Sequence, residues 1–246
     1  MKNNIQFLVL FALSTVFTFT ACQKDAEDTA PVQNNEVMSD KEAAATSDAI
    51  VSAATQEVVE FADSAADGFN AEEADNRVNY CDMTYDTTLT WSASYGTASG
   101  EYTSSWAWTV ICNNLQVPIE LDMTTQADGN FASLLVEGNM TSEGTYSLTG
   151  LLPTDASYVV NGTYTASGTI SSKVRLQNTF TFEATLHINE LSISKNNFTI
   201  ESGGGDITLV ATSSNGQSAT VTGTLTFNGD GTATLEINGQ TYTIHL

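Results

Sequence analysis

Residues 81–112 read CDMTYDTTLTWSASYGTASGEYTSSWAWTVIC, and this stretch predicts a β-hairpin. In both halves, hydroxyl-bearing residues alternate with apolar and aromatic ones, and a period of two is typical of strands. The segment between the halves, residues 94–100, has the small side chains and glycines of a turn. Two strands joined by this turn therefore begin the β-rich part of the chain.

The alternation of hydroxyl-bearing and apolar residues continues to the C-terminus, with turn-forming residues, among them Gly129, Gly162 and Gly168, about every 8–12 positions. We count roughly 12 strands on this basis. No segment of helical period interrupts them, which excludes βαβ units and predicts a mainly β fold, a single antiparallel meander over residues 76–246. The pattern leaves open whether this domain is a sandwich, a barrel or a curved open sheet.

The C-terminal strands can be placed in register. Asn238 and Gly239 favour a two-residue type I′ turn, which puts Leu235 opposite Tyr242 on an apolar face. The preceding loop, residues 229–231, has an odd number of residues and ends in Gly231, so it keeps the apolar faces of successive strands on the same side.

A helix precedes the β-domain, within residues 39–75. Ser39 and Glu42 have the spacing of a capping box, and Gly68 is a plausible end of the helix. The apolar stripe predicts docking on the β-domain, with a partner helix or a second copy of the protein as the alternative. Because the residues around it are mostly Ala, Ser and Thr, we expect a narrow stripe and weak docking. The stripe lies at steps of three and four and consists of Ile50, Ala54, Val58, Phe61, Ala65 and Phe69.

Charge restricts the possible partners of the chain. It has 29 acidic and 7 basic residues, a formal net charge of −22. Phosphate backbones repel such a chain, so no nucleic-acid partner is expected. Residues 22–38 are polar, acidic and poor in large apolar groups, which predicts a disordered tether.

The N-terminus has the pattern of an exported protein. Lys2 is followed by about fifteen mainly apolar residues, too few to span a membrane but enough for a secretory signal peptide. The residues Phe19-Thr20-Ala21-Cys22 resemble the lipobox of bacterial lipoproteins. This resemblance implies cleavage after residue 21 and a diacylglycerol and an acyl chain, such as palmitate, on Cys22.

The residues after the lipobox resemble the acidic export signal of surface lipoproteins of the Bacteroidota. They read QKDAED at positions 23–28. The resemblance implies an outer-membrane protein, lipid-anchored at Cys22, that faces the cell exterior.

If Cys22 carries lipid, Cys81 and Cys112 are the two remaining cysteines of an exported chain, and we expect a disulfide between them. Their pairing in register puts the hairpin tip between Gly96 and Thr97, inside the turn already inferred. This register places all three tryptophans on one face, which is either core or an exposed platform for sugar rings or a protein. The candidate binding residues on that face are Tyr85, Trp91, Tyr102, Trp106 and Trp108.

The chain has no G-x-S-x-G, H-E-x-x-H or P-loop motif, and neither a cofactor nor a metal site is predicted. His187 and His245 lie on polar strand faces. We therefore expect a non-enzymatic surface protein that binds a glycan, a matrix or a protein partner. The alternative is a carrier of an apolar ligand or lipid inside a barrel or half-barrel.

Overall fold

The computed structural model describes residues 37–73, 81–95, 98–175 and 178–246. The predicted signal peptide, Cys22 and residues 23–36 lie outside these ranges. One helix and ten strands are present in the described residues, and helix and sheet belong to one compact unit. The elements are α1 Asp40–Glu73, β1 Thr84–Tyr95, β2 Ala98–Cys112, β3 Pro118–Ala132, β4 Val136–Thr149, β5 Ser157–Ser172, β6 Thr179–Ser194, β7 Ile200–Ser213, β8 Ser218–Phe227, β9 Thr232–Ile237 and β10 Gln240–His245.

The strands form one antiparallel sheet in which each strand pairs with its neighbours in sequence, β1 to β10. The predicted mainly β meander is therefore confirmed, and it is an open sheet, because β1 and β10 are not paired in the part of the chain described. The count of roughly 12 strands is wrong. Several glycines interpreted as turns lie inside strands, among them Gly129 in β3 and Gly162 and Gly168 in β5.

Two of these strand glycines, Gly129 and Gly162, make room for aromatic rings on the concave face. A Cβ on Gly129 would overlap the ring of Tyr102, and a Cβ on Gly162 would overlap the ring of Tyr146. Each ring therefore lies flat against the backbone of the neighbouring strand. Glycine in a strand interior commonly marks such a close approach, and here it has this role rather than that of a turn.

Both predicted hairpin registers are confirmed. Leu235 lies opposite Tyr242, and Asn238 and Gly239 have φ values of 50° and 74°, as a type I′ turn requires. In the first hairpin, Tyr85 lies opposite Trp108. The predicted disulfide is also present, since Cys81 and Cys112 are bonded with their Cα atoms 5.5 Å apart.

The capping box of the helix is confirmed as well. The amide of Ser39 donates to Glu42 Oε2 at 2.9 Å, and the amide of Glu42 lies 3.4 Å from Ser39 Oγ. Helix α1 continues through Gly68 to Glu73, so the predicted end at Gly68 is wrong. A single glycine costs a helix only about 1 kcal/mol relative to alanine, which is too little to end it.

The described chain begins before the helix, at Val37. Val37 and Met38, placed by the sequence in the tether, are 9% and 4% exposed and pack against the core. This corrects the expected disorder for these two residues. An apolar residue just before the N-cap is a common way to fix the entry of a helix.

The sheet curls around α1. Of the predicted stripe, Ile50, Ala54, Val58 and Phe61 are at most 1% exposed, while the side chains of Ala65 and Phe69 are outside the described residues. Residues on other sides of the helix, such as Val51 and Ser52, are also at most 1% exposed. Because α1 contacts strands from β2 to β10, it lies in the concavity of the sheet.

Docking of the helix is therefore extensive, and the expected narrow, weak contact is wrong. The Ala, Ser and Thr residues that suggested weakness have the opposite effect. Their small side chains let the strands approach the helix on several sides, which fills the interior of the curled sheet.

Candidate functional sites

The five aromatic residues predicted as a binding face fall into separate environments. Tyr102 and Trp106 are 4% and 1% exposed and belong to the core. Trp106 Nε1 donates to Ser104 Oγ at 2.7 Å beneath the helix. For Tyr102 and Trp106, the structure corresponds to the core alternative rather than the exposed platform.

Tyr85 and Trp108 form a half-buried pair near the edge of the sheet. Their ring centroids are 5.5 Å apart at an interplanar angle of 16°, which is a stacked arrangement. Phe61 of α1 meets Trp108 edge-on at 5.6 Å. These contacts engage the indole from both the sheet and the helix, so the pair joins α1 to the first hairpin. The side chain of Trp91 is outside the described residues.

A buried carboxyl group lies in the interior, on α1. Glu57 is 0% exposed and accepts hydrogen bonds from Ser104 Oγ at 3.0 Å and from Thr125 Oγ1 at 2.9 Å. Burial raises the pKa of Glu57 to about 7, although the two hydroxyl donors act against the rise. Burial, together with the nearby charge of Glu57, also raises the pKa values of Tyr146 and Tyr164.

This interior cluster has the pKa shift that often marks an active site but not the access that a reaction needs. Glu57, Ser104 and Thr125 are at most 2% exposed, so a substrate cannot reach the carboxyl group. A second shifted carboxyl, Asp48, also lies on α1. Burial raises its pKa to about 6, against a hydrogen bond and an electrostatic interaction with His245. These groups tie α1 to the sheet.

The solvent-facing side of the sheet carries a different kind of site. Four shallow depressions lie on this outer face across β1 to β6, and the largest has a volume of about 780 Å³. Neighbouring depressions share lining residues, which makes them one continuous feature that we call the outer trough. The shared residues in the middle of the trough include Asn130, Asp128, Thr141, Ser167, Gln126 and Glu143.

The trough runs along the strands. On β3 its floor passes from Asn130 through Asp128 and Gln126 to Thr124, which is about 20 Å at the usual rise per residue. These side chains all point outward and are exposed. They present a row of hydroxyl, amide and carboxylate groups. No basic or large apolar side chain interrupts this row between Thr124 and Asn130.

The trough was not predicted from the sequence, because polar strand faces are ordinarily just solvated surface. Strict alternation predicts that the polar residues of each strand share a face, and the registers of β2 to β5 then align them across strands. The depth of the surface could not be read from the alternation, because it depends on how the sheet twists and curls.

Groups of three or more His, Cys, Asp or Glu side chains suited to a metal ion are absent from the described residues. No helix among the described residues is both long and apolar enough to cross a membrane. A scan against protein-family models, a search of curated proteins and a search of solved structures each gave no match.

Proposed function

We propose that the chain is a lipid-anchored cell-surface protein that binds a neutral polysaccharide along the outer trough, without catalysing a reaction. The trough carries the proposal. It is extended, open to solvent and lined by hydroxyl, amide and carboxylate groups that can donate and accept hydrogen bonds. A linear sugar chain presents the complementary groups along its length.

Charge supports a neutral ligand over an anionic one. The trough contains Glu101, Asp128, Glu143 and Glu183, and the whole chain has a net charge of −22. Uronic acids or sulfated sugars would meet repulsion along the whole trough. A neutral polysaccharide avoids this cost and can still accept hydrogen bonds from hydroxyl and amide groups.

The location of the shifted carboxyl groups supports a binding role rather than hydrolysis. Glu57 and Asp48, whose pKa values burial raises to about 7 and about 6, lie on the helix inside the curled sheet. A glycosidase needs a carboxylic acid with a raised pKa next to the glycosidic bond that it cleaves. The trough is on the opposite side of the sheet from both.

The alternative function, transport of an apolar ligand, has less support. Such a ligand would lie on the concave face of the sheet, and α1 occupies this face with Ile50, Val58 and Phe61 among its buried side chains. The helix takes the role that the ligand would have in a carrier.

Binding can be tested by affinity electrophoresis of the folded protein through gels that contain neutral or anionic polysaccharides. We expect retardation in one or more neutral gels and none in the anionic gels. The double variant Gln126→Ala, Asn130→Ala should lose most of it. Thr224→Ala changes an exposed outer residue of β8, outside the trough, and should be retarded like the wild type. Equal retardation of wild type and the double variant, or none in any neutral gel, would refute the proposal.

The anchor is a separate part of the proposal and has its own test. Cys22→Ser should release the protein from the membrane fraction and remove lipid from its intact mass. In cells that carry the wild-type protein, added protease should digest it without lysis if the domain faces the exterior. Membrane retention of Cys22→Ser would contradict the anchor without affecting the binding experiment.

A further inference from the structure

The antiparallel meander has two ends, and one of them is the end where the described chain begins. We call it the tether end. It carries the connections β3–β4, β5–β6, β7–β8 and β9–β10. The start of α1 is fixed here, since Arg175 Nη2 donates to the carbonyl of Val37 at 3.1 Å and Asn238 Nδ2 donates to Asp40 Oδ1 at 3.0 Å.

Two apolar side chains project from neighbouring loops at the tether end. Leu134, in the β3–β4 loop, is 69% exposed, and Val174, in the β5–β6 loop, is 59% exposed. The loops are bonded to each other, because the amide of Lys173 donates to the carbonyl of Leu135 at 2.8 Å and its Nζ donates to the carbonyl of Ser133 at 3.0 Å. Leu134 and Val174 therefore lie on two loops that hydrogen bonds hold together.

The charge at this end differs from that of the rest of the chain. The described residues of its loops include Lys173 and Arg175 and have no acidic residue, whereas the loops at the opposite end have two acidic residues, Asp155 and Asp230, and one basic residue, Lys195. The first turn of α1 is at the tether end too, and there Lys41 lies between two acidic residues, Asp40 and Glu42, the second of which pairs with Arg175. In a chain with a net charge of −22, this is the end that an anionic lipid surface repels least.

We propose that the tether end lies on the membrane, with Leu134 and Val174 inserted among the lipid headgroups. The inference rests on the proposed anchor at Cys22. Val37 is fifteen residues after Cys22, so even a fully extended connection keeps the tether end within about 50 Å of the lipid. At that range a weak apolar contact is effectively intramolecular, so burial of two apolar side chains adds to the anchor and favours this orientation of the domain.

The proposal can be tested with single fluorescent labels. An introduced cysteine would be the one free thiol, because Cys81 and Cys112 are bonded and Cys22 carries the lipid. Leu134→Cys and Val174→Cys place an environment-sensitive dye at the tether end. Leu115→Cys is the matched control, because Leu115 is an 82% exposed leucine in the β2–β3 loop at the opposite end.

The labelled full-length lipoproteins are reconstituted into vesicles of phosphatidylethanolamine and phosphatidylglycerol that contain brominated lipid. We expect quenching at positions 134 and 174 to exceed that at position 115 by at least about twofold, as shallow insertion of one end requires. Equal quenching at all three positions, or stronger quenching at 115, would overturn the orientation while flotation with the vesicles leaves the anchor intact. Failure to float would remove both the anchor and this inference.

Discussion

Thr125 Oγ1 on β3 donates a hydrogen bond of 2.9 Å to Glu57 Oε2 in the middle of α1, across 68 positions of sequence. With the bond from Ser104 to the other carboxylate oxygen, it fixes one charged group between the helix and two strands. The group is fully buried, so its ionisation is coupled to the folding of the whole unit.

Glu57 should make stability depend on pH. Its pKa rises from the ordinary 4.5 to about 7 on folding because burial disfavours the charge. The group therefore costs nothing below pH 4.5, destabilises the fold progressively as pH rises to about 7, and has a constant effect above that. Glu57→Gln should raise the free energy of unfolding at pH 8 by roughly 3 kcal/mol. It should also reduce the change in the free energy of unfolding between pH 4.5 and 7.

Urea unfolding between pH 4.5 and 8 measures this effect. Glu60→Gln is the control, since Glu60 is a less buried carboxyl on the same helix that accepts a 2.7 Å bond from Gln56. Asp48, whose pKa is raised to about 6, also makes the free energy of unfolding fall as the pH rises towards 6. Asp48→Asn should therefore reduce the pH dependence of stability in the lower part of this range. If the pH dependence of the free energy of unfolding were the same in Glu57→Gln as in the wild type, Glu57 would not be its cause.

Arg175 should be a strong contributor to stability. Its guanidinium group forms an ion pair with Glu42, whose side chain is 1% exposed, and its Nε donates to Glu42 Oε1 at 3.1 Å. Burial opposes ionisation of Glu42, but hydrogen bonds from Ser172, Ser39 and Arg175 together lower its pKa. Arg175→Met leaves a buried carboxylate without this cation and should cost about 3–5 kcal/mol.

Lys173 provides the matched comparison for Arg175. Lys173 lies two residues before Arg175 and forms an ion pair with Glu137 at 3.2 Å. Both side chains of this pair are substantially exposed. Lys173→Met should cost about 1 kcal/mol or less. Chemical denaturation of the two variants at pH 7 gives the difference, and equal losses would show that burial of Glu42 is not the cause.

Gly129 should not tolerate a side chain. A Cβ there would overlap the ring of Tyr102, so Gly129→Ala should destabilise the protein by about 1–3 kcal/mol. The control is Gly204→Ala, where the nearest atom is the carbonyl oxygen of Leu225 at an ordinary 3.4 Å. Thermal unfolding measures both, and combination of Gly129→Ala with Tyr102→Leu should cost less than the sum of the single changes.

The disulfide should stabilise the first hairpin. The bond closes a loop with a sequence separation of 31, and Cys81→Ser with Cys112→Ser should lower the free energy of unfolding by about 2–4 kcal/mol. The double variant should still associate with membranes if Cys22 alone carries the anchor. Identical denaturation curves for the oxidised and reduced wild-type protein would contradict this prediction.

Local rules predicted the parts of the fold that depend on neighbouring residues. The capping box at Ser39, the turn at Asn238 and the register of the first hairpin each follow from residues within one motif, and all are present. They fail where a distant element changes the meaning of a residue. Glycine is typical of turns, but Gly162 lies inside β5. Its role there is to leave space for the ring of Tyr146 on the neighbouring strand.

The candidate site was less accessible to prediction than the fold. The alternation of Gln126, Asp128 and Asn130 showed that they share a face, but not that this outer face carries a continuous depression. In the same way, the Ala and Thr residues of α1 gave no sign of being enclosed. Both properties come from the curl of a ten-stranded sheet, which is a collective result of twist, bulges and packing.

The wrapped helix also determines when folding can finish. Ser52 and Asp40 of α1 bond to His245 and Asn238 at sequence separations of 193 and 198, so the first described element completes its contacts only with the last described strands. A helix of 34 residues rich in Ala, Ser and Thr gains most of its stability from tertiary packing. The packing of α1 therefore cannot be completed until β9 and β10 have been synthesised, and sequence separations of 193 and 198 predict that this step comes late in folding.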